Sequence, residues 1–325
     1  MSALRCAVVR IPFFVPPAAG RAFDVVGLGL NSIDLVTVVA EYPVSNSKQR
    51  LQRFAKLPGG QTATSLVACA RLGWRARYIG SFGDDEFGEL ARRSLTSEGV
   101  DISAAHTIDG TTNQFAVVVV DARSGDRTVM WDRHPGLTLN PRDVSADVVI
   151  SGRMLLLDCH ETAAVTQAAK HARANGIPTV LDIEKVRPGV TDLLQHTDAV
   201  LAAEAFPGAL TGYDAPGRAI EAIAKEFQAR LVTVTLGAEG SLTWCAGREF
   251  HTSGFAVDCV DTTGAGDAFR GGFVAGCLRS PDGVIEDVLS YANAVAALNC
   301  RALGARGGLP SREEVDQLLM ARPQV

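Results

Sequence analysis

The stretch Asp261-Thr262-Thr263-Gly264-Ala265-Gly266-Asp267-Ala268-Phe269 sets two glycines and two carboxylates close together just before an apolar run. It follows the strand-like residues 254–260 and opens 268–278, where Phe269, Gly272, Phe273, Gly276 and Cys277 share one helical face. Gly264 and Gly266 permit backbone angles denied to other residues and let a bulky ligand come close. The N–H groups at such a helix start have no intrahelical partner and can cradle an anion, helped by the helix dipole. Donors of this kind stabilise charge on the equatorial oxygens of a migrating phosphoryl group. Asp267 falls in the first helical turn, where the dipole favours its ionised form. A carboxylate there can take the proton of an attacking hydroxyl. Taken singly, Asp261 or Asp267 reads as a helix cap. Capping does not need Gly-Ala-Gly, so the whole string points to anion chemistry.

Other chemical signals are weaker. Gly27-Leu28-Gly29-Leu30-Asn31-Ser32 approximates a dinucleotide turn, but Ser32 replaces its third glycine. No GxxxxGK[ST] string occurs. Seven cysteines stand singly and six histidines lie apart, without CxxC or HExxH, which argues against a transition-metal site and for reduced thiols in the cytoplasm.

The elements that must position this segment are legible as an alternation. Strand-length apolar runs at 23–29, 77–82, 154–159, 178–183, Ala199–Ala203 and 231–236 alternate with helical stretches at 61–72, 84–98, 161–175 and 216–228. Several runs are apolar on both faces, as in central parallel strands. The expectation is an α/β fold, a three-layer α/β/α doubly wound and mostly parallel sheet. Residues 35–58 and 108–132 break the pattern with partly polar, strand-like pieces that lack helical crossovers. They are expected to form a small β-sheet lid over the site. Two helices, 284–301 and 311–320, follow the site segment.

The chain has 325 residues, 47% hydrophobic and 21% charged, enough for a large core. A formal charge of −5 argues against nucleic acid as a partner, and no apolar run is long enough to span a membrane. Residues 1–21 carry Arg5, an apolar stretch and Ala-Ala like a secretory leader, but Arg10 splits the run and Pro12, Pro16 and Pro17 break any helix. A loose, disordered N-terminal extension is expected there, with one domain over 22–325.

Residues 261–269 resemble the C-terminal signature of the ribokinase-like, or PfkB, carbohydrate kinase family. Pro58-Gly59-Gly60-Gln61-Thr62-Ala63-Thr64 through Gly73 is similar to its N-terminal signature, and Gly83-Asp84-Asp85-Glu86-Phe87-Gly88 and Thr235-Leu236-Gly237-Ala238-Glu239-Gly240 fit in the expected order. The resemblance runs from about Phe23 to the end. It implies an ATP-dependent sugar kinase with Mg2+ and, as in many members, K+. Asp267 would be the catalytic base, and the amides of Gly264, Ala265 and Gly266 the anion hole. Asp34, at the end of the first strand, would bind sugar hydroxyls with Gly59 and Gly60, joined by Thr64 and, from the lid, Lys48. Thr235, Gly237 and Gly240 would border ATP, with Asn293 and Asn299 beside the adenine. Asp261 and Thr263, with carbonyls near 301–304, would hold the monovalent cation.

Two departures bear on the substrate. Thr64 stands where many members carry a sugar-binding Asn, and Ala203-Glu204-Ala205-Phe206 replaces the family's Asn-x-x-Glu, leaving Glu204 as a water-mediated helper for Mg2+. The Thr64 form and the Ala-Leu-Asn-Cys…Gly-Gly-Leu-Pro tail are similar to ketohexokinase-type and sulfofructose-kinase-type members, which implies a ketose. Arg127 and Arg133 would suit an anionic sugar if they face the pocket, and Trp131 and His160 could also reach it. A homodimer through the exposed lid strands is expected. Two rivals stay open: a nucleoside kinase on the same fold, and a non-catalytic sugar- or nucleotide-sensing protein.

Overall fold

Strands that are apolar on both faces need a helical layer on each side, and the computed structural model, which describes residues 8–124 and 126–321, supplies both. The main sheet has eight strands in the order Arg248–Ser253, Gly240–Cys245, Leu231–Thr235, Ala199–Ala203, Thr179–Ile183, Met154–Asp158, Val25–Leu28, Ala76–Ile79. All pairings from Leu231–Thr235 to Ala76–Ile79 are parallel, and the Gly240–Ser253 hairpin closes one edge antiparallel. Side chains alternate across the sheet. Val25, Leu156 and Val180 pack with the helices Gln61–Arg71, Ala265–Arg279 and Ile285–Asn299. Val26, Leu155 and Leu181 pack on the other face with Thr162–Ala174 and Pro216–Phe227.

A second sheet of four strands, in the order Arg53–Gly59, Ser32–Val39, Phe115–Asp121, Arg127–Asp132, is built from the two segments that broke the alternation. Its own core is small, Val36, Ala116 and Val118, and Arg127–Asp132 is exposed throughout.

The structure departs from expectation in three places. Residues 254–260 are not a strand; the strand is Arg248–Ser253, because Ala246 and Gly247 take positive φ values of 51° and 78° and turn a tight hairpin. Asp34 is not at the end of the first strand but within Ser32–Val39, in the second sheet. Residues 8–21 are not a loose extension: Val9, Ile11, Phe13 and Val15 are buried in the main core. Ile11 N–H donates to the Gly283 carbonyl at 3.0 Å and Ile285 N–H to that of Val9 at 2.9 Å. The guanidinium of Arg153 donates to the Pro16 carbonyl at 2.7 Å. Residues 1–7, the rest of that expectation, lie outside the described residues.

Candidate active site

The helix Ala265–Arg279 begins as its glycines require. Gly264 has φ +73°, and a Cβ there would sit 2.4 Å from the Ala305 carbonyl oxygen. Further along, Gly271 leaves room for Ala68 and Ser65, so this helix lies against Gln61–Arg71. The Ser65 hydroxyl donates to the Asp267 carbonyl at 2.9 Å and locks the two helix starts together.

Among the described residues, no protein group takes the amides of Gly264, Gly266 or Asp267. The amide of Ala265 is different: it donates to the Thr262 carbonyl at 3.2 Å. Of the three donors expected at the anion hole, Ala265 is therefore spent in the turn at Thr262, and the Asp267 amide is left free in its place.

These amides and the Asp267 carboxyl open onto a cavity of about 510 Å³ lined also by Asp34, Gly60, Gln61, Gln114 and Trp131. Burial raises the Asp267 carboxyl well above the usual range; Asp182 and Glu184 push it further, and Arg270 opposes them. Asp34 is pushed up to about 6, first by burial, against the Ser32 hydroxyl and the Arg306 cation, with Asp261 adding to the rise. Gly59 leaves room for the Asp34 carboxylate, since a Cβ there would lie 2.5 Å from its Oδ2. Gly60 takes φ +90° against the Asn31 backbone and starts Gln61–Arg71.

Behind the cavity lies a buried polar layer whose parts are far apart in the chain. Asp158 accepts from the Leu30 amide at 2.6 Å and the Thr62 hydroxyl at 2.8 Å. Asp182 accepts from Gln61 at 3.2 Å. The Arg270 Nε lies 2.9 Å from Asp182 Oδ1, close enough for ion pairing but out of line for a hydrogen bond. Burial carries Asp182 up to about 7 despite Arg270. Asp158, Asp182, Arg270 and Arg306 escaped the sequence reading; Asp158 and Arg270 are charges set within apolar runs, a pattern that calls for a buried partner, whereas Arg306 stands among glycines and carries no such signal.

A second, more apolar cleft of about 270 Å³ adjoins the first at Thr262, lined by Gly237, Phe255, Val257, Asn293, Ala296 and Cys300 among others. Gly237 and Asn293 both line this cleft, and the Asn293 amide also donates to the Thr252 carbonyl at 3.0 Å.

Other expected residues stand elsewhere. Thr64 is fully buried and accepts from Arg306 at 3.2 Å, so it supports the cavity wall without lining it. Lys48 is exposed in the loop between Ser32–Val39 and Arg53–Gly59. Thr235 turns its hydroxyl to the Ala202 carbonyl at 3.4 Å. Gly240 is buried against Thr252, as its φ of +99° and the lack of space for a Cβ require. Asn299 is buried and donates to the carbonyls of Ala305 and Thr263, fixing the loop instead of touching adenine. Glu204 is exposed at the start of Ala205–Thr211 and lines neither cavity. Arg133 is held by Glu161 and by the Leu137 carbonyl, whereas Arg127, Trp131 and His160 do line the larger cavity.

Comparison with known proteins agrees with this geometry. The model of the pfkB family carbohydrate kinases matches residues 22–312. The chain is 31% identical over 285 residues to a fructokinase of Escherichia coli, covering 81% of this chain and 92% of that one. It is 29% identical over 302 residues to a ribokinase of Bacillus subtilis, covering 90% and 98%. An Arabidopsis thaliana ribokinase solved with ribose and ATP superposes with a TM-score of 0.80 at 25% identity, over 92% of this chain and 99% of that one. Two joined cavities meeting at the glycine-opened helix, together with these matches, place the chain in the pfkB family of carbohydrate kinases.

Proposed function

We propose that the chain transfers the γ-phosphoryl group of ATP to a hydroxyl of a sugar or sugar derivative, with Asp267 as the base. The observation that carries this reading is the Asp267 carboxyl beside the unpartnered amides of Gly264 and Gly266, at the junction of the two cavities. The sugar would lie in the larger cavity, with hydroxyls on Asp34. Asp267 takes the proton of the attacking hydroxyl as its oxygen bonds to the γ-phosphorus and the bond to the β-phosphate oxygen breaks, releasing ADP. The amides receive the charge that spreads over the equatorial oxygens. A carboxyl made basic by burial suits this role once ionised.

Mg2+ would be carried mainly on the nucleotide phosphates and water. Bound there, Mg2+ would neutralise phosphate charge. Support for K+ comes from Asn299 Oδ1, buried without a partner beside the loop where Asp261 accepts from Thr263 and Gly304. Free thiols at Cys69, Cys159, Cys245, Cys277 and Cys300 support a reducing, cytoplasmic setting, and no helix among the described residues is long and apolar enough to cross a membrane. Val129, Met130 and Trp131, exposed on the edge strand Arg127–Asp132, support pairing of two copies through the second sheet.

The test is ADP release with a panel of sugars and nucleosides. Asp267→Asn is expected to lower kcat by about 10³-fold while an ATP analogue still binds. Parent-level turnover by this variant would sink the mechanism.

A further inference from the structure

The wall of the larger cavity holds two cations that the catalytic reading leaves unused. Lys185 and Arg187 lie in the turn after Thr179–Ile183, and both line the cavity. Among the described residues, neither has an ion pair or a side-chain hydrogen bond. The Nε of Arg187 is buried and has no partner. Glu184, in the same turn, pairs with neither. Beside them stands His160, whose imidazole is held below its usual pKa by burial first and by the nearby Arg187 and Arg133 cations. It therefore offers this wall a neutral hydrogen-bonding ring.

Position in the sheet separates this corner from the nucleotide. Thr179–Ile183 pairs with Met154–Asp158, the strand that leads into His160. The apolar cleft opens after Leu231–Thr235, and Ala199–Ala203 runs between that strand and Thr179–Ile183. The cations thus stand on the acceptor side. The charges acting most strongly on Asp34 and Asp267 come from other groups: Arg306 and Asp261 for the first, Asp182, Glu184 and Arg270 for the second. Arg187 is therefore not the counter-ion of the reacting carboxylates. A neutral sugar would leave its buried Nε unsatisfied once water is excluded, which is costly. An oxyanion would take it in a charge-assisted bond.

We infer that the acceptor carries a negatively charged oxyanion group, phosphate, carboxylate or sulfonate, bound in the larger cavity by Arg187 and Lys185. This rests on the sugar-kinase reading above and narrows its substrate class. Arg127, which reaches over the cavity to the Thr262 hydroxyl at 2.7 Å, adds a third cation from the second sheet.

The experiment compares kcat/KM of the full chain for fructose and ribose with that for fructose 6-phosphate, fructose 1-phosphate, ribose 5-phosphate and gluconate. Arg187→Ala, Arg187→Lys and Lys185→Ala are run beside it. At least one anionic acceptor is expected to exceed its neutral parent tenfold or more. Arg187→Ala should cut that preference by about 10- to 100-fold, as for one charge-assisted bond, and Arg187→Lys should restore part of it. Affinity for an ATP analogue should stay within about threefold. Preference for neutral sugars, an equal loss on both acceptor classes, or a loss confined to nucleotide affinity would overturn the inference. If no acceptor turns over, the kinase reading fails by itself. The anion site is then judged by calorimetric titration of the same anions into nucleotide-free protein. Binding abolished by Arg187→Ala sustains it, and no binding rejects it.

Discussion

The guanidinium of Arg306 donates to the Gly59 carbonyl at 2.6 Å, joining the loop that follows Ile285–Asn299 to the glycine pair that starts Gln61–Arg71. The same side chain donates to Thr64 at 3.2 Å and Ser94 at 3.1 Å, and its charge acts on both Asp34 and Asp267. One buried cation thus braces the wall of the larger cavity and balances the two carboxylates proposed to take part in the reaction. Burial pulls its own pKa down to about 10. Arg306→Ala leaves the Gly59 carbonyl and two hydroxyls without this donor, and should cost about 3 kcal/mol of stability. Urea unfolding measures this. Arg306→Lys keeps the charge but not the planar fork, so it should recover only part of the loss. A stability loss below about 1 kcal/mol for the alanine variant would remove Arg306 from this role.

Gly264 is constrained twice, by φ +73° and by the Ala305 carbonyl oxygen 2.4 Å from where a Cβ would stand. Gly264→Ala must tilt the helix start or displace the 304–308 loop. We expect about 2 kcal/mol of destabilisation and a fall in kcat larger than the rise in acceptor KM, because the amides move away from the phosphoryl group. Unchanged kcat in a folded variant would show that the amide geometry does not matter.

Asp34 makes a pH prediction whose sign follows from burial. Its folded pKa, about 6, lies above the usual carboxylate value. The folded chain therefore holds the proton that the unfolded chain releases between about pH 4 and 6. Stability from this group falls as pH rises through that window. Asp34→Asn escapes the effect, so its Tm relative to the parent should rise from pH 4 to pH 7. Acceptor KM of the parent should climb as pH drops below about 6, when the protonated carboxyl loses acceptor capacity. A flat Tm difference across the range would place the Asp34 pKa elsewhere.

Phe13 and Phe14 are neighbours with opposite fates, 7% and 72% exposed. Phe13→Ala should lower unfolding free energy by about 3 kcal/mol, and Phe14→Ala by no more than about 0.5 kcal/mol. Chemical denaturation of the two variants compares them directly. Equal effects would mean that residues 8–21 do not pack as described.

Much of the site was legible because its geometry is local. Gly264, Gly266 and Asp267 act within one helical turn, so their spacing in the chain is their spacing in space. Gly59 and Gly60 are likewise fixed by the turn they make. The parallel strands were legible because a strand covered on both faces must be apolar at nearly every position, as in Met154–Asp158. The N-terminal strap had a signal that the prolines masked: Val9, Ile11, Phe13 and Val15 alternate with period two, and all four are buried.

By itself, then, the order of residues determined the family, the layered sheet and the glycine turn at 264–266, all of which depend on neighbours within a few positions. Only the tertiary structure decided that Thr64 and Asn299 brace the site from behind, that Lys48 stands in solvent, and that Arg187 lines the larger cavity with its Nε unpaired. The reason is distance along the chain. Arg306 finds Gly59, and Arg270 finds Asp182, across long separations that no periodicity records. A buried charge announces only that a partner is needed; packing decides which group it is.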